Sequence, residues 1–223
     1  MYTRISEKMH KIKFIFFTVI FLFIFSCKEN PKKKLLSEND KSEIKTELNS
    51  VFKTDQKYRR MLQDTVDKYG WNSPQIEDLW KRQNKLDSVN LIKVLKIIKK
   101  INTYPGDSIV GYPTRKAAFF VLQHAPNTIQ DKYLPMIIKA AKNGQLDEDL
   151  AAMYHDRYLM HRGLPQIYGS QFLIKTEKDS ITGKEKKIFE FYKIKDTSKV
   201  DSLRRMVGMI PLEDYKRINN IQN

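Results

Sequence analysis

The segment Ala117–Leu122, with the sequence AAFFVL, constrains the fold of this chain more than any other stretch. It follows Pro113 and Thr114, which suit the start of a helix, and it is apolar on every side. A helix without a polar face is stable only when other elements cover it all round. The segment therefore predicts a buried central helix with further helices packed around it.

Four other segments carry apolar residues at helical spacing, and their ends have the residue types that start and stop helices. The clearest begins with Ser73 as N-cap and Pro74 at the first helical position. Another is preceded by Pro126 and is expected to have Asn127 as its cap, with Gln130 completing a capping box. The four predicted helices cover about 41–69, 73–101, 127–144 and 147–162.

The pattern changes after Gly163. Residues 170–175 and 187–194 alternate between apolar and polar, and the turn residues of 179–184 separate them, which predicts a β-hairpin. Two short helices are expected at 198–206 and 212–221. The predicted fold class is mainly α: an irregular bundle of about five core helices with a C-terminal β-hairpin and two short helices, all in a single domain over 41–223.

The N-terminal segment has the character of a lipoprotein leader. Basic residues precede an apolar run, Phe14–Phe25, which is 12 residues long where a membrane-spanning helix needs about 20. The run ends in Ser26-Cys27, which resembles the bacterial lipobox, a small residue directly before a cysteine. Residues 1–26 are therefore predicted to be a signal peptide, with translation starting at Met1 or Met9, and residues 27–40 a lipidated cysteine with a polar tether.

Lipidation of Cys27 would anchor the protein to a membrane without spanning it. Palmitate and the other acyl chains of a bacterial lipoprotein would hold it in the cell envelope. Lys28-Glu29 lacks the aspartate that retains some lipoproteins at the inner membrane, and it resembles the export signal of Bacteroidetes lipoproteins. The outer membrane is thus favoured over the inner membrane. Cys27 is the one cysteine of the chain, so no intramolecular disulfide is expected.

The chain is strongly basic, with a formal net charge of +15. A nucleic-acid partner is nevertheless not expected, because no motif combines basic residues with aromatic residues for stacking on bases. The lysines lie along predicted solvated faces, as in 93–100 and 184–187. In an envelope protein they are better suited to anionic lipid or glycan.

Several polar and ionisable residues lie within segments that otherwise have the composition of a core, where burying such groups is costly unless they have partners. Asp55 and Arg59 have the i,i+4 spacing of a helical ion pair. The candidate catalytic residue is His124, as general base or acid. The candidate ligand-binding residues are Asp55, Arg59, Asp87, Asn90, Gln123, Asp156, Arg157, Gln166, Tyr168 and Gln171.

These residues fall into short motifs that together resemble an uncharacterised bacterial family, a domain of unknown function. Its motifs are D-Q-x-x-R, Q-H-A, D-R and a final Q-x-Y-G-T-Q. The matching positions here are Asp55-Gln56-x-x-Arg59, Asp87-x-x-Asn90, Val110-Gly111, Gln123-His124-Ala125, Asp156-Arg157 and Gln166-x-Tyr168-Gly169-Ser170-Gln171. Ser170 stands where the family usually has threonine, and the resemblance covers about Thr54 to Gln171. It supports the choice of residues and implies no activity, because the family has none assigned.

Three functions are compatible with this pattern. The first is a polar cleft that binds an anionic or polyhydroxylated ligand or partner through arginine forks. The second is a metal-independent hydrolase in which His124, oriented by a carboxylate, activates water and Arg157 stabilises negative charge. The third is a structural or interaction lipoprotein in which the aspartates neutralise Arg59 and Arg157 inside a buried network.

No cofactor or metal is expected from the sequence. His155 and His161 are six residues apart and lie on different faces of a helix, and the chain has neither an H-E-x-x-H motif nor paired cysteines. Access to the cleft separates the remaining alternatives. If His124 and Arg157 lie together in contact with solvent, a binding or catalytic role is favoured, and if both are sealed, a structural role is favoured.

Overall fold

The computed structural model describes residues 36–178, 185–219 and 221–222. The predicted signal peptide, Cys27 and most of the tether lie outside these residues. The first helix, α1, spans Glu38–Asp55. It begins with a capping box in which the Ser37 hydroxyl accepts a hydrogen bond from the Asp40 N–H and the Asp40 carboxylate accepts one from the Ser37 N–H. Helix α1 thus begins three residues before residue 41, where the sequence predicted the domain to start.

The helix predicted to continue to Tyr69 is in fact broken. After α1, a 3₁₀ turn covers Arg59–Met61 and a second helix, α2, spans Leu62–Tyr69. In an unbroken helix the carbonyl of Asp55 would accept the N–H of Arg59. Here that carbonyl accepts instead from the side chains of Arg59 and Gln83, at 2.6 and 3.0 Å. Side-chain partners therefore replace the helical hydrogen bond at the break.

The four remaining core helices follow the prediction closely. Helix α3 spans Pro74–Ile101, and the Ser73 hydroxyl caps its N-terminus. A short helix that was not predicted, α4, spans Asp107–Val110. Helix α5 spans Ala117–Gln123 and is buried over most of its length, as its composition predicted. Helices α6 and α7 span Asn127–Lys142 and Glu148–His161.

The predicted capping box at the start of α6 is wrong. Pro126 occupies the cap position, and Gln130 is buried with its side-chain amide directed back towards α5. That amide donates hydrogen bonds to the carbonyls of Gln123 and Ala125, at 3.1 and 2.7 Å. Gln130 therefore caps the C-terminal end of α5 rather than the N-terminal end of α6.

The C-terminal region contains the predicted hairpin and short helices, with one addition. Strands β1, Phe172–Lys178, and β2, Glu185–Phe191, pair antiparallel with Phe172 opposite Phe191. Helices α8 and α9 span Val200–Met206 and Leu212–Ile218. A third strand, β3, at Ile221–Gln222 pairs parallel to β2, where the last predicted helix was expected to continue.

The core lies around α5 and is lined by α1, α3, α6 and α7. Its fully buried members on α5 are Ala117, Ala118, Phe119 and Leu122, and Leu48, Val51, Val94, Ile137 and Tyr154 pack around them. The predicted fold class is confirmed: the protein is mainly helical with a C-terminal hairpin and short helices. Within the described ranges, no helix combines the length and the apolar composition needed to cross a bilayer.

Candidate functional site

Four of the candidate residues are brought together where α1, α3, α5 and α7 approach each other. Arg59 follows α1, Asp87 lies on α3, His124 directly follows α5 and Arg157 lies on α7. Arg59, Arg157 and Asp87 all act electrostatically on the His124 imidazole, and Arg59 acts on Arg157. These four residues are called the arginine–histidine site below.

Arg59 is neutralised within the site. Its guanidinium forms two hydrogen bonds with the Asp87 carboxylate, Nη1 to Oδ1 at 3.0 Å and Nη2 to Oδ2 at 2.7 Å. The same Nη1 lies 3.2 Å from Oδ1 of Asp55, whose side chain is almost completely buried. Burial raises the pKa of Asp55, and Asp87 raises it further, while Arg59 and Gln56 oppose the rise. The predicted ion pair between Asp55 and Arg59 is thus present, although the two residues do not share a continuous helix.

A line of buried polar residues on α3 supports this cluster. The Gln83 amide donates to the Asp87 carboxylate at 2.7 Å, and the Thr54 hydroxyl donates to Oδ1 of Asn90 at 2.9 Å. Gln83 and Asn90 are almost fully buried. Sequence reasoning omitted Gln83 from the candidates, although its position one helical turn before Asp87 was a usable signal.

His124 combines solvent exposure with a crowded surrounding. The residue is exposed, yet protein atoms surround much of the imidazole. This partial burial, followed by the charges of Arg59 and Arg157, lowers the pKa of His124 to about 3, with Asp87 opposing. A pKa raised by the C-terminal end of α5 would have been the simple expectation. Burial and the two arginines outweigh that effect, so the neutral form of His124 is favoured near pH 7.

Arg157 is not paired with a carboxylate, in contrast to Arg59. Its Nη1 makes one long hydrogen bond, 3.5 Å, to the carbonyl of Gln123, and its Nε is buried without a partner within the described ranges. No carboxylate of the described residues lies within 4 Å of its guanidinium. Burial lowers the pKa of Arg157, with Tyr215 opposing and Arg59 adding to the decrease. The expectation that an aspartate neutralises Arg157 is therefore not met by any residue that the structure describes.

A second group of candidate residues holds the connection between α7 and β1. The buried Asp156 carboxylate accepts hydrogen bonds from the backbone N–H groups of Ile167, Tyr168 and Ser170 and from the Ser170 hydroxyl, at 2.7 to 3.1 Å. This arrangement is called the Asp156 staple below. It uses both oxygens of Asp156 and ties the loop to α7.

Gln166 and Gln171 extend the staple. The Gln166 amide donates to the carbonyls of Gln171 and Tyr192, and its oxygen accepts from the Gln171 N–H at 2.8 Å. The Gln171 amide donates to the Ser170 hydroxyl and to the Met153 carbonyl. Both glutamines are buried, and the side-chain hydrogen bonds described above are all made to other protein groups. Their role as ligand-binding residues stays a prediction, and their observed contacts are internal.

Tyr168 lies apart from the arginine–histidine site. Its side chain lines a separate cavity of about 220 Å³ together with His155, Glu148 and Lys142, over a floor that includes Ala151 and Ala152. Burial raises the pKa of Tyr168, and Asp156 and Glu148 raise it further. The motif around Tyr168 therefore contributes its backbone to the Asp156 staple and its ring to another part of the surface.

Two residues near the site were missed by sequence reasoning. Arg204 on α8 is 1% exposed, and it donates to the carbonyls of Ile210 and Tyr168 at 2.6 and 2.7 Å. Its guanidinium lies 4.9 Å from the ring centre of Tyr215, whose hydroxyl donates to the Ser170 carbonyl. No local pattern distinguished Arg204 from the exposed Arg205 beside it, because a helix of seven residues carries little periodic signal.

The structure also bears on metal binding. Within residues 36–178, 185–219 and 221–222, no three His, Cys, Asp or Glu side chains are grouped so that they could hold a metal ion. The site consists instead of one neutralised arginine, one arginine without a carboxylate and one exposed neutral histidine.

The chain was compared with known proteins. No curated protein and no solved structure shows significant similarity to it. Residues 42–221 match a family of unknown function, DUF6624. The match extends the predicted resemblance, which covered about Thr54 to Gln171, to include α1 and the C-terminal hairpin and helices. Because it spans most of the chain, the protein belongs to the family of unknown function DUF6624.

Proposed function

We propose that this protein is a lipid-anchored protein of the cell envelope that binds an anionic ligand at the arginine–histidine site. The observation that supports this most strongly is Arg157, a largely buried guanidinium with no carboxylate partner among the described residues. Burying an unpaired charge costs several kcal/mol. An anionic ligand would remove that cost by supplying the missing acceptor.

The charges around Arg157 suit such a ligand. Arg59 offsets the charge of one carboxylate, and burial raises the pKa of Asp55, which favours its uncharged form. Asp55 and Asp87 therefore offer little repulsion to an incoming anion. Arg157 presents a planar fork of donors, which matches the oxygens of a carboxylate or a phosphate. The exposed imidazole of His124 stands beside it and, being neutral, can donate one N–H to the same group. The proposed ligand class is therefore a carboxylate or phosphate group, free or carried on a glycan.

The hydrolase alternative has less support. A general base works best when its pKa lies near the working pH, and the lowered pKa of His124 makes it a weak proton acceptor. Asp87, the carboxylate that acts electrostatically on His124, is hydrogen-bonded to Arg59 and Gln83 and does not orient the imidazole.

The structural alternative explains the Asp156 staple better than it explains Arg157. The groups of the staple satisfy one another's hydrogen bonds, whereas Arg157 lacks a carboxylate partner among the described residues.

The test is a ligand-dependent shift in unfolding temperature, followed by the fluorescence of Trp71 and Trp80 in the full chain in mild detergent. Inorganic phosphate and glucuronate are the probes. A ligand that binds the folded state alone raises the unfolding temperature as its concentration rises. Wild type is expected to respond to at least one probe, and Arg157→Met is expected to lose the response.

The matched control is Arg205→Met, which removes an exposed arginine from α8. It changes the net charge equally and should keep the wild-type response. Arg157→Met itself is expected to increase the free energy of unfolding of the unliganded protein, because methionine retains the apolar packing and removes a buried charge that has no carboxylate partner. Equal responses in wild type and Arg157→Met would contradict the proposed site.

A further inference from the structure

The outward face of α3 is strongly basic from Lys81 onward, after the exposed Glu77 and Asp78 near the start of the helix. From Lys81 to Ile101 the helix contains seven lysine and arginine residues and one acidic residue, Asp87, which is turned inward to Arg59. Lys81, Lys85, Lys96 and Lys99 are all exposed and recur at three-, four- and eleven-residue intervals that keep them on one side of the helix. None of these four forms an ion pair with a carboxylate in the described part of the chain.

Large apolar side chains are interspersed with these lysines. Ile92 is 70% exposed and Val89 is 46% exposed, and both lie between Lys85 and Lys96 along the same face. The opposite side of the helix carries buried residues such as Val94 and Ile97, which belong to the core. The set Lys81, Lys85, Val89, Ile92, Lys96 and Lys99 is called the α3 lysine face. From Lys81 to Lys99 this face extends for about 27 Å along the helix.

The point where the chain enters the described domain lies at one end of this face. Leu36 packs against the core, and Asp40, in the first turn of α1, pairs with Lys100 at 2.7 Å. The hydrogen bond to Asp40 raises the pKa of Lys100. Leu36 is nine positions after Cys27, which limits the reach of a tether between them to about 30 Å. A lipid on Cys27 would therefore hold the C-terminal end of α3 close to a bilayer.

We propose that the α3 lysine face docks on the surface of a bilayer containing anionic phospholipid. Lysines attract the negative headgroups over a screening length of about 8 to 10 Å. A tether of at most about 30 Å would keep the face near enough to the bilayer to come within that distance often. Val89 and Ile92 would enter the boundary between headgroups and acyl chains, as the apolar residues of interfacial helices do. These two side chains favour a bilayer over a polar anionic glycan, which offers them no apolar medium. The expectation that a bilayer lies near α3 rests on the lipid anchor proposed above. The pattern of lysines and exposed apolar residues on α3 is observed independently of that anchor.

The test places an environment-sensitive fluorophore on the face in the full chain. Ile92→Cys is labelled with the fluorophore and reconstituted with vesicles of phosphatidylcholine, with or without phosphatidylglycerol. A wild-type preparation treated in the same way is the blank for labelling of Cys27. Docking predicts that the emission moves to shorter wavelength and that an aqueous quencher loses access when phosphatidylglycerol is present. High salt should reverse part of the shift.

Two controls define specificity. The fluorophore at Met206→Cys, an exposed site on α8, should show no dependence on phosphatidylglycerol. Lys85→Glu with Lys96→Glu, combined with Ile92→Cys, should abolish the shift. Lys132→Glu with Lys139→Glu on α6 changes the net charge equally and should leave it intact.

Flotation of the vesicles separates this proposal from that of the anchor. Flotation with both lipid compositions, together with an emission shift in the anionic vesicles, supports both proposals. Flotation with both compositions and no emission shift supports the anchor and overturns docking by α3. Flotation with the anionic vesicles alone, together with the shift, supports docking and contradicts the anchor. Absence of flotation with either composition overturns both.

Discussion

At the scale of single residues, the two arginines of the site have opposite surroundings. Arg59 binds Asp87 through two hydrogen bonds and lies beside the buried Asp55, whereas Arg157 makes one long contact to a backbone carbonyl. Both lie near His124 and lower its pKa. The protonation state of His124 should therefore report on the balance of charges in the arginine–histidine site.

We predict that His124 destabilises the folded protein in mild acid. The unfolded chain binds a proton on this histidine with a pKa of about 6.5, whereas the folded protein does so only at much lower pH. The unfolded state therefore binds more protons as the pH falls below about 6.5, and stability decreases in that window. Above it, the histidine is neutral in both states and has no effect of this kind.

His124→Gln should reduce this loss of stability. The measurement is denaturant unfolding followed by tryptophan fluorescence at a series of pH values from neutral to mildly acidic. The variant is expected to lose less stability than wild type between neutral pH and the acidic end of the series. Parallel pH profiles for the two proteins would show that the folded state does not disfavour the protonated His124.

At the scale of structural elements, the Asp156 staple joins the helical part to the C-terminal region. The loop after α7 closes tightly: Gly169 has a φ of +65°, and a Cβ there would lie 2.7 Å from Leu212 Cδ1. Arg204 and Tyr215 bind the carbonyls of the same loop from α8 and α9. The Q-x-Y-G-S-Q motif thus has a structural explanation that does not require a ligand.

Asp156→Ala is predicted to destabilise the protein by about 3 kcal/mol or more. The change leaves three backbone N–H groups and one hydroxyl without their acceptor, in a buried place. The comparison is Asp131→Ala, which breaks the surface pair of Asp131 with Arg162 and should cost less than about 1 kcal/mol. Urea unfolding of both variants tests this, and equal losses would show that the staple contributes no more than a surface ion pair.

At the scale of the whole molecule, charge and the proposed lipid anchor bear on where the protein would work. The net charge of +15 includes the α3 lysine face, and Cys27, the proposed anchor position, lies nine positions before the first described residue. A basic domain held by lipid would meet anionic headgroups on the membrane surface. The arginine–histidine site and the α3 lysine face are then separate features. The first is suited to a small anion and the second to a bilayer.

We predict that Cys27 carries the lipid. Metabolic labelling with a fatty-acid analogue should mark wild type and should fail to mark Cys27→Ser. Ser26→Ala keeps a small residue before the cysteine and should remain labelled, which makes it the matched control. Label retained on Cys27→Ser would rule out lipidation of this residue and with it the proposed anchor.

The sequence by itself determined the elements that depend on local chemistry. The cap at Ser73 and Pro74, the buried composition of Ala117–Leu122 and the alternation in the hairpin each favour one structure through nearby residues. The nearness of Asp55 to Arg59 was also predictable, because four residues apart they remain close even across the break in the helix.

The tertiary structure decided which polar groups have hydrogen-bond partners and which residues supply them. The side chains of Arg59 and Gln83 bind the Asp55 carbonyl where α1 ends. The side chain of Gln130 binds the end of α5, and the guanidinium of Arg204 packs against the ring of Tyr215. The tertiary structure also left Arg157 without a described carboxylate and directed Tyr168 to another cavity. Spacing along the chain shows that a charged residue faces inward, but its partners come from elements far away in sequence. Only the packing of those elements brings the partners within hydrogen-bond distance, and the candidate site is the place where that packing left one charge unpaired.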